Sequence, residues 1–355
     1  MTDERFDISR RKALAALGTI GVASAGAGLG TSAYFSDQET FENNQLVAGT
    51  LDLGVGYTAH YSDWSDDEGV GVGDVQMYSG GEPGETGSSG DLPTGYTGLP
   101  SNDAWLIAVP DGDVDTFLDN TQTGVYPDEN PEDGVQDSID CVNGGNSANV
   151  QADDAPKPVI ALDDVKPGDF GEVTFDFILC DNPGYVWLNG ELTSSSENGI
   201  TEPEADDPQE EENEPRPASE DSESDEVELL DVVQAAVWVD DGDNYQDADD
   251  TTDPYIDDLR SILGMIQGSN GTELQSAMNA EQYGGTGEQG CFSPDTEHSI
   301  VFAWWVPIDH GNEIQSDSAT FELGLYTEQC RHNDGSGMNN EDLGSETDDD
   351  AETPT

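Results

Sequence analysis

Val173-Thr174-Phe175-Asp176-Phe177-Ile178-Leu179-Cys180 is the clearest strand of the sequence. Successive side chains of an extended chain point to opposite faces. Val173, Phe175, Phe177 and Leu179 therefore share one face, and Thr174, Asp176, Ile178 and Cys180 the other. Lys166-Pro167-Gly168-Asp169 stands just ahead of the run. It reads as a turn, because proline presets φ and glycine accepts the positive φ that a tight turn needs. Asn182-Pro183-Gly184 follows and returns the chain into Tyr185 to Leu192. The whole predicts a strand, a hairpin-like return and a second strand.

Working outward, the same signals recur. Leu46 to Tyr57 reads as a strand with Leu51, Leu53 and Val55 on one face. Val159 to Leu162 is a short strand. Leu229 to Val239 is apolar on both faces and predicts a central strand. Ile300 to Val306, with Trp304 and Trp305, predicts a buried strand, and Phe321, Leu323 and Leu325 alternate in a last one. Asp253 to Gln267 predicts a helix: Tyr255, Leu259, Ile262, Leu263 and Ile266 recur at helical spacing, with Asp253 as cap and Pro254 in the first turn. Thr272 to Ala280 predicts one or two further helical turns. Ser62 to Asn149 is rich in Gly, Asp, Ser and Pro, broken by runs such as Trp105 to Val109, and reads as long loops and edge strands. Thr201 to Glu226 holds 13 acidic residues, four prolines, and no aromatic or branched aliphatic residue. It predicts a disordered acidic insert, 201–227, because it buries too little apolar surface to offset its chain entropy. The expected fold class is all-β: a β-sandwich over residues 34–332 with long acidic and Gly-rich loops, one or two short helices, and a disordered acidic tail, 333–355.

Charge bounds the setting. The chain of 355 residues carries 78 Asp plus Glu against 9 Lys plus Arg, a formal net charge of -69. Such a chain repels itself strongly in dilute buffer. In about 1 M salt the Debye length falls to roughly 3 Å and the repulsion is screened. The acidity therefore reads as halophilic adaptation, with the fold expected to loosen below about 1 M salt. A disordered acidic chain is the rival reading, opposed by 34% hydrophobic residues and six Trp. A nucleic-acid partner is excluded, since no basic surface exists to neutralise phosphates.

Residues 1–33 read as an export signal. Arg5, Arg10, Arg11 and Lys12 form a positive start, Ala13 to Gly30 an apolar stretch, and Thr31-Ser32-Ala33 a small-residue cleavage site ahead of Tyr34. Arg10-Arg11 also fits a twin-arginine signal. The partners implied are the export machinery and signal peptidase, the expected location is extracellular, and no permanent membrane span remains after cleavage. A retained N-terminal anchor is the alternative.

Three further runs are specific. Ala33-Tyr34-Phe35-Ser36-Asp37-Gln38-Glu39 leads to Asn44-Gln45-Leu46-Val47-Ala48-Gly49-Thr50-Leu51-Asp52-Leu53. Val165-Lys166-Pro167-Gly168-Asp169 precedes the alternating strand, and Trp305-Val306-Pro307-Ile308-Asp309-His310-Gly311-Asn312-Glu313-Ile314 runs on through Phe321 and closes with Glu328-Gln329-Cys330-Arg331. In this order the runs resemble proteins with SipW-dependent-type signal peptides, the TasA/camelysin group. The resemblance implies a secreted jelly-roll domain that assembles into extracellular biofilm-matrix fibres. The Gly-rich 60–150 region and the 201–227 insert depart from the compact family pattern.

Chemistry-bearing residues are few. Cys141, Cys180, Cys291 and Cys330 are even in number, which in an exported chain favours two disulfides. Sequence alone leaves three connectivities. Pairing sequence neighbours, Cys141–Cys180 and Cys291–Cys330, is the leaning, and four buried thiols are the alternative. Asp241, Asp243 and Asp247 crowd one loop and offer oxygen ligands that suit Ca2+. A solvated acidic loop is the competing reading. His60, His298, His310 and His332 form no H-E-x-x-H, and no G-x-S-x-G occurs, so no catalytic residue is assigned. His310, beside Asp309, reads as a turn residue bonded to backbone. Asn270-Gly271-Thr272 is a glycosylation sequon. Two functions are weighed. The first is a fibre subunit whose Tyr34–Leu53 segment adds to a neighbour's sheet through Phe35, Phe41, Leu46, Leu51 and Leu53, with a monomeric surface or binding protein as its bland version. The second is a camelysin-like extracellular metallopeptidase.

Overall fold

The computed structural model describes residues 51–63, 67–77, 92–127, 136, 139, 160, 162, 164–208, 215–217, 227–246, 250, 254–267, 272–274 and 290–335. All belong to the unit Gly49–Thr355. Along the chain the elements are β1 (Asp52–Ser62), β2 (Gln76–Met77), β3 (Tyr96–Pro100), β4 (Trp105–Pro110), α1 (Val114–Thr121), β5 (Gln122–Tyr126), β6 (Phe170–Cys180), β7 (Gly184–Ser196), β8 (Gly199–Ile200), α2 (Glu202–Ala205), β9 (Arg216–Pro217), α3 (Leu229–Val232), β10 (Gln234–Asp240), β11 (Tyr255–Asp258), α4 (Leu259–Ile266), β12 (Thr272–Glu273), β13 (Glu297–Trp305) and β14 (Ser318–Gln329). The fold is all-β, with antiparallel strands throughout and a few short helices.

A six-stranded sheet in the order β11-β10-β13-β6-β1-β5 forms the middle layer. The alternating run at 173–180 is its β6, paired with β1 on one side and β13 on the other. Both faces of this sheet are covered, and its central strands β10 and β13 are nearly continuous apolar runs accordingly. On the first face Phe177, Leu179, Val237, Ile300, Phe302 and Trp304 pack against Val186 and Leu188 of β7 and against α3 and α4. On the second face Phe170, Ala236, Trp238, Val301, Ala303 and Trp305 pack against β3, β4 and α1. Two smaller sheets, β12-β7-β14 and β2-β4-β3, thus sandwich the large one. The far side of β7 carries Tyr185 and Trp187, which bury Cys291 and Cys330. Gly190 lets α4 approach β7 closely: a Cβ there would lie 2.8 Å from the Ile266 Cδ1.

Several sequence readings change. Leu229 to Val239 is not one strand. Leu229–Val232 is a helical turn whose first N–H donates to Asp317 Oδ2 (2.8 Å), and the central strand begins at Gln234. The helix expected from Asp253 starts at Leu259, capped by Asp258, which accepts from Ser261 N at 2.7 Å. Tyr255 lies four residues before Leu259 and fits the helical period, but Tyr255–Asp258 pairs instead with the open edge of β10. Thr272–Glu273 is a strand beside β7 rather than a helix. Ile160 and Leu162 lie outside any strand, though both pack against the large core. The stretch Ser62 to Asn149, read as loops and edges, supplies β2 to β5, α1 and the second core.

The insert 201–227 is also corrected where it is described. Thr201 caps α2 in a reciprocal capping box with Glu204, and Glu204 is buried. Asp207 accepts from Asn312 N at 2.7 Å, and Arg216–Pro217 pairs with β8. Hydrogen bonds to carboxylates supply the order that apolar burial could not. Residues 209–214 and 218–226, like the tail from 336 onward, lie outside the described residues.

Candidate functional site

The longest edge strand among the described residues is β14. Its twelve residues pair with β7 from Ser318↔Ser196 to Gln329↔Gly184. Among the described residues, no strand lies on its other side. Ala319, Phe321, Leu323 and Leu325 alternate inward and pack on the fringe of the large core, half-buried. Thr320, Glu322 and Gly324 point out and are exposed. An unpaired edge with a half-covered apolar row is a template for another strand, and edges are normally blunted by lysine, proline or inward charges. The strand contains neither lysine nor proline; Glu322 is exposed, whereas a register shift at Thr320/Phe321 and buried Glu328 interrupt the strand toward its two ends and leave Phe321–Leu325 as its open stretch.

The expected donor segment is shortened. Tyr34, Phe35, Phe41 and Leu46 lie outside the described residues, as do Arg10, Arg11 and Ala33. Leu51 and Leu53 do not serve a neighbour: they pack against their own chain's large core, and from Asp52 onward the chain pairs continuously with β6. From Tyr57 to His60 the strand is bonded on both sides, by β6 and β5, while Asp52–Gly56 pairs with β6.

Two carboxylate groups have the spacing for a cation. The first is Asp240, Asp241 and Asp243, with oxygens within 4.8 Å of one another. Asp240, at the end of β10, takes the place sequence reading gave to Asp247, which lies outside the described residues. Asp240 shapes the loop, accepting from Gly242 N (2.9 Å), Asn244 N (3.2 Å) and Trp238 Nε1 (3.2 Å). Burial first, and then the neighbouring Asp charges, push Asp243 up to about 6. Hydrogen bonds within the loop account for the geometry without Ca2+.

The second group, Glu197, Glu228 and Asp317, was missed, because its members lie on β7's continuation, before α3 and before β14. Only tertiary structure joins them. Burial, then the charges of Glu228 and Glu204, push Asp317 up to about 7, against hydrogen bonds from Leu229 N–H and Glu197. Two carboxyls in one hydrogen bond hold a proton between them.

Cys291 and Cys330 form a disulfide with Cα atoms 6.2 Å apart. Cys180 is disulfide-bonded too, and Cys141 lies outside the described residues. His310 is bonded to a side chain rather than to backbone: its Nδ1 meets Glu313 Oε1, and buried Glu313 also accepts from Gly311 N at 2.7 Å. Asn270 lies outside the described residues. Among those residues no helix is long and apolar enough to cross a membrane. No family model matches the chain, and no curated protein matches it.

Proposed function

We propose that this chain is an exported extracellular protein of the TasA/camelysin type, a jelly-roll subunit of a surface or matrix fibre adapted to strong brine. The observation that carries the reading is β14, a twelve-residue edge whose inward apolar row is half-covered. In this reading the segment Tyr34–Thr50 of a second copy lies along β14. Phe35 and Phe41 share one face of the extended segment and add to the inward apolar row of Phe321, Leu323 and Leu325, and backbone hydrogen bonds set the register. A head-to-tail contact of this kind does not close on itself, so a fibre grows. The net charge of -69 demands salt for any such approach between copies.

The test is negative-stain electron microscopy in molar salt of the protein beginning at Tyr34, beside a form lacking Tyr34–Thr50 and a Leu323→Lys variant. Leu323 is half-buried, so the variant retains its circular dichroism while placing a charge on the acceptor edge. Filaments from the first and none from the other two support the reading. Single particles from all three make it a monomeric surface protein. Peptidase activity abolished by chelation would replace the structural role altogether.

A further inference from the structure

An aromatic stack on the first face of the large sheet is independent of the assembly reading. Tyr61 of β1, Gly171 of β6 and Trp304 of β13 form one row across three strands. The glycine leaves the middle of the row open: a Cβ there would lie 3.0 Å from Trp304 Nε1. The two rings close over the gap, with centroids 6.0 Å apart and planes 21° apart, an offset stack. Trp304 is 6% exposed and Tyr61 is half-buried. The pair therefore runs from the core toward the rim.

The hydroxyl end of Tyr61 is equally fixed. It donates to Asp169 Oδ2 at 2.9 Å, and Asp169 is 1% exposed. Lys166 N–H donates to the same oxygen at 3.0 Å, and Lys166 Nζ stands 3.5 Å from Oδ1. These contacts favour the carboxylate, while burial raises its affinity for a proton. The phenol thus faces a positioned base. Burial first, then the hydrogen bond to Asp169 and the charges of Asp169, Asp63 and Asp164, holds the Tyr61 hydroxyl above its ordinary range, so it keeps its proton in the resting protein. A phenol that loses an electron becomes a very strong acid. An electron therefore leaves this ring readily only where a base takes the proton at the same time, and Asp169 stands there.

We propose that Trp304, Tyr61 and Asp169 form an oxidation relay, in which an electron hole on the buried indole moves to Tyr61 while the Tyr61 proton moves to Asp169. The oxidant is a one-electron acceptor of the dihalide radical class, which concentrated halide forms from stronger radicals. It takes one electron from Trp304 and leaves as two halide ions. Tyr61 then gives an electron to the indole and its O–H proton to Asp169. The products are intact Trp304, a Tyr61 phenoxyl radical and a neutral Asp169 acid. A one-electron reductant of the thiolate or ascorbate class refills Tyr61 from the rim, and Asp169 hands the proton back. The core indole is thereby spared the oxygenation that a lingering radical invites.

The experiment is pulse radiolysis of the full chain in bromide brine, where the dibromide radical anion oxidises indoles. In the parent, indolyl absorption should decay as phenoxyl absorption grows, at a rate independent of protein concentration. Tyr61→Phe keeps the ring, and it and Trp304→Phe should each lose the same part of this phase. A remainder is expected in both, because Trp187 has its own tyrosine neighbour, Tyr326, at 5.5 Å. Asp169→Asn still accepts the hydroxyl but is no base, so that part should slow, as it should in heavy water with the parent. Prolonged exposure followed by peptide mass mapping reads the parent alone, whatever the variants do. Trp305, 5% exposed on the opposite face, should gather more oxygenated product than Trp304. A phase unchanged in Tyr61→Phe, or indifferent to both Asp169→Asn and heavy water, would overturn the relay. So would equal oxygenation of Trp304 and Trp305.

Discussion

Asp317 illustrates how single carboxylates hold this molecule together. It accepts from the first N–H of α3 at 2.8 Å and shares a hydrogen bond with Glu197. Its raised value, about 7, means that the folded state keeps a proton the unfolded chain has already lost. The stability this supplies is complete below the ordinary Asp range and disappears as pH rises through about 7. An Asp317→Asn variant should therefore unfold like the parent at pH 5 and be the more stable of the two at pH 8. Paired denaturation curves at the two pH values check this; a variant equally weakened at both would mean that the carboxyl is needed for shape rather than for its proton.

At the scale of elements, α4 separates packing from surface charge. Leu259, Ile262, Leu263 and Ile266 face the core, with Ile266 against Gly190 of β7. Removing that side chain leaves a cavity in a layer that cannot collapse around it. Ile266→Ala should cost about 2–5 kcal/mol in chemical denaturation. On the same helix Arg260 makes a two-pronged contact with Asp231 of α3, at 2.7 and 2.8 Å. Both side chains are 45% exposed. Arg260→Ala should therefore cost less than about 1 kcal/mol, and less still in molar salt. A larger loss from Arg260→Ala than from Ile266→Ala would reverse this account of the α4 layer.

For the whole molecule, the buried carboxyls set the sign of the pH response. Burial raises Glu172, Asp169 and Asp176, the last to about 6, and Asp317 to about 7. Each favours the folded state at low pH and loses that contribution as pH rises through its folded value. Burial lowers His60, to about 4, and His298. These act the other way: their contribution is full above pH 6.5 and is lost as pH falls toward the folded value. The carboxyls outnumber the histidines, and the net charge of -69 acts in the same direction. The melting temperature should fall between pH 5 and 8, steeply in dilute buffer and gently above about 1 M salt. A profile that rises over this range, or is indifferent to salt, would contradict the charge argument.

What the sequence determined by itself is what depends on near neighbours. The period of two in β6, β7, β13 and β14 is local chemistry and was legible. The pairing of Cys291 with Cys330 was a leaning among three connectivities left open, and the structure makes that bond. Local period could not say where Tyr255 belongs, because its spacing fits a helix and only the free edge of β10 makes it a strand. Composition could not show that Thr201–Pro208 is ordered, because the donors that hold Glu204 and Asp207 include Asn312 and Ser316, over a hundred residues away. The second core, the Glu197–Asp317 pair and the choice of β14 as an edge all belong to tertiary structure. Each depends on which strands meet, and pairing over long separations is decided by the burial of whole faces rather than by any one stretch of chain.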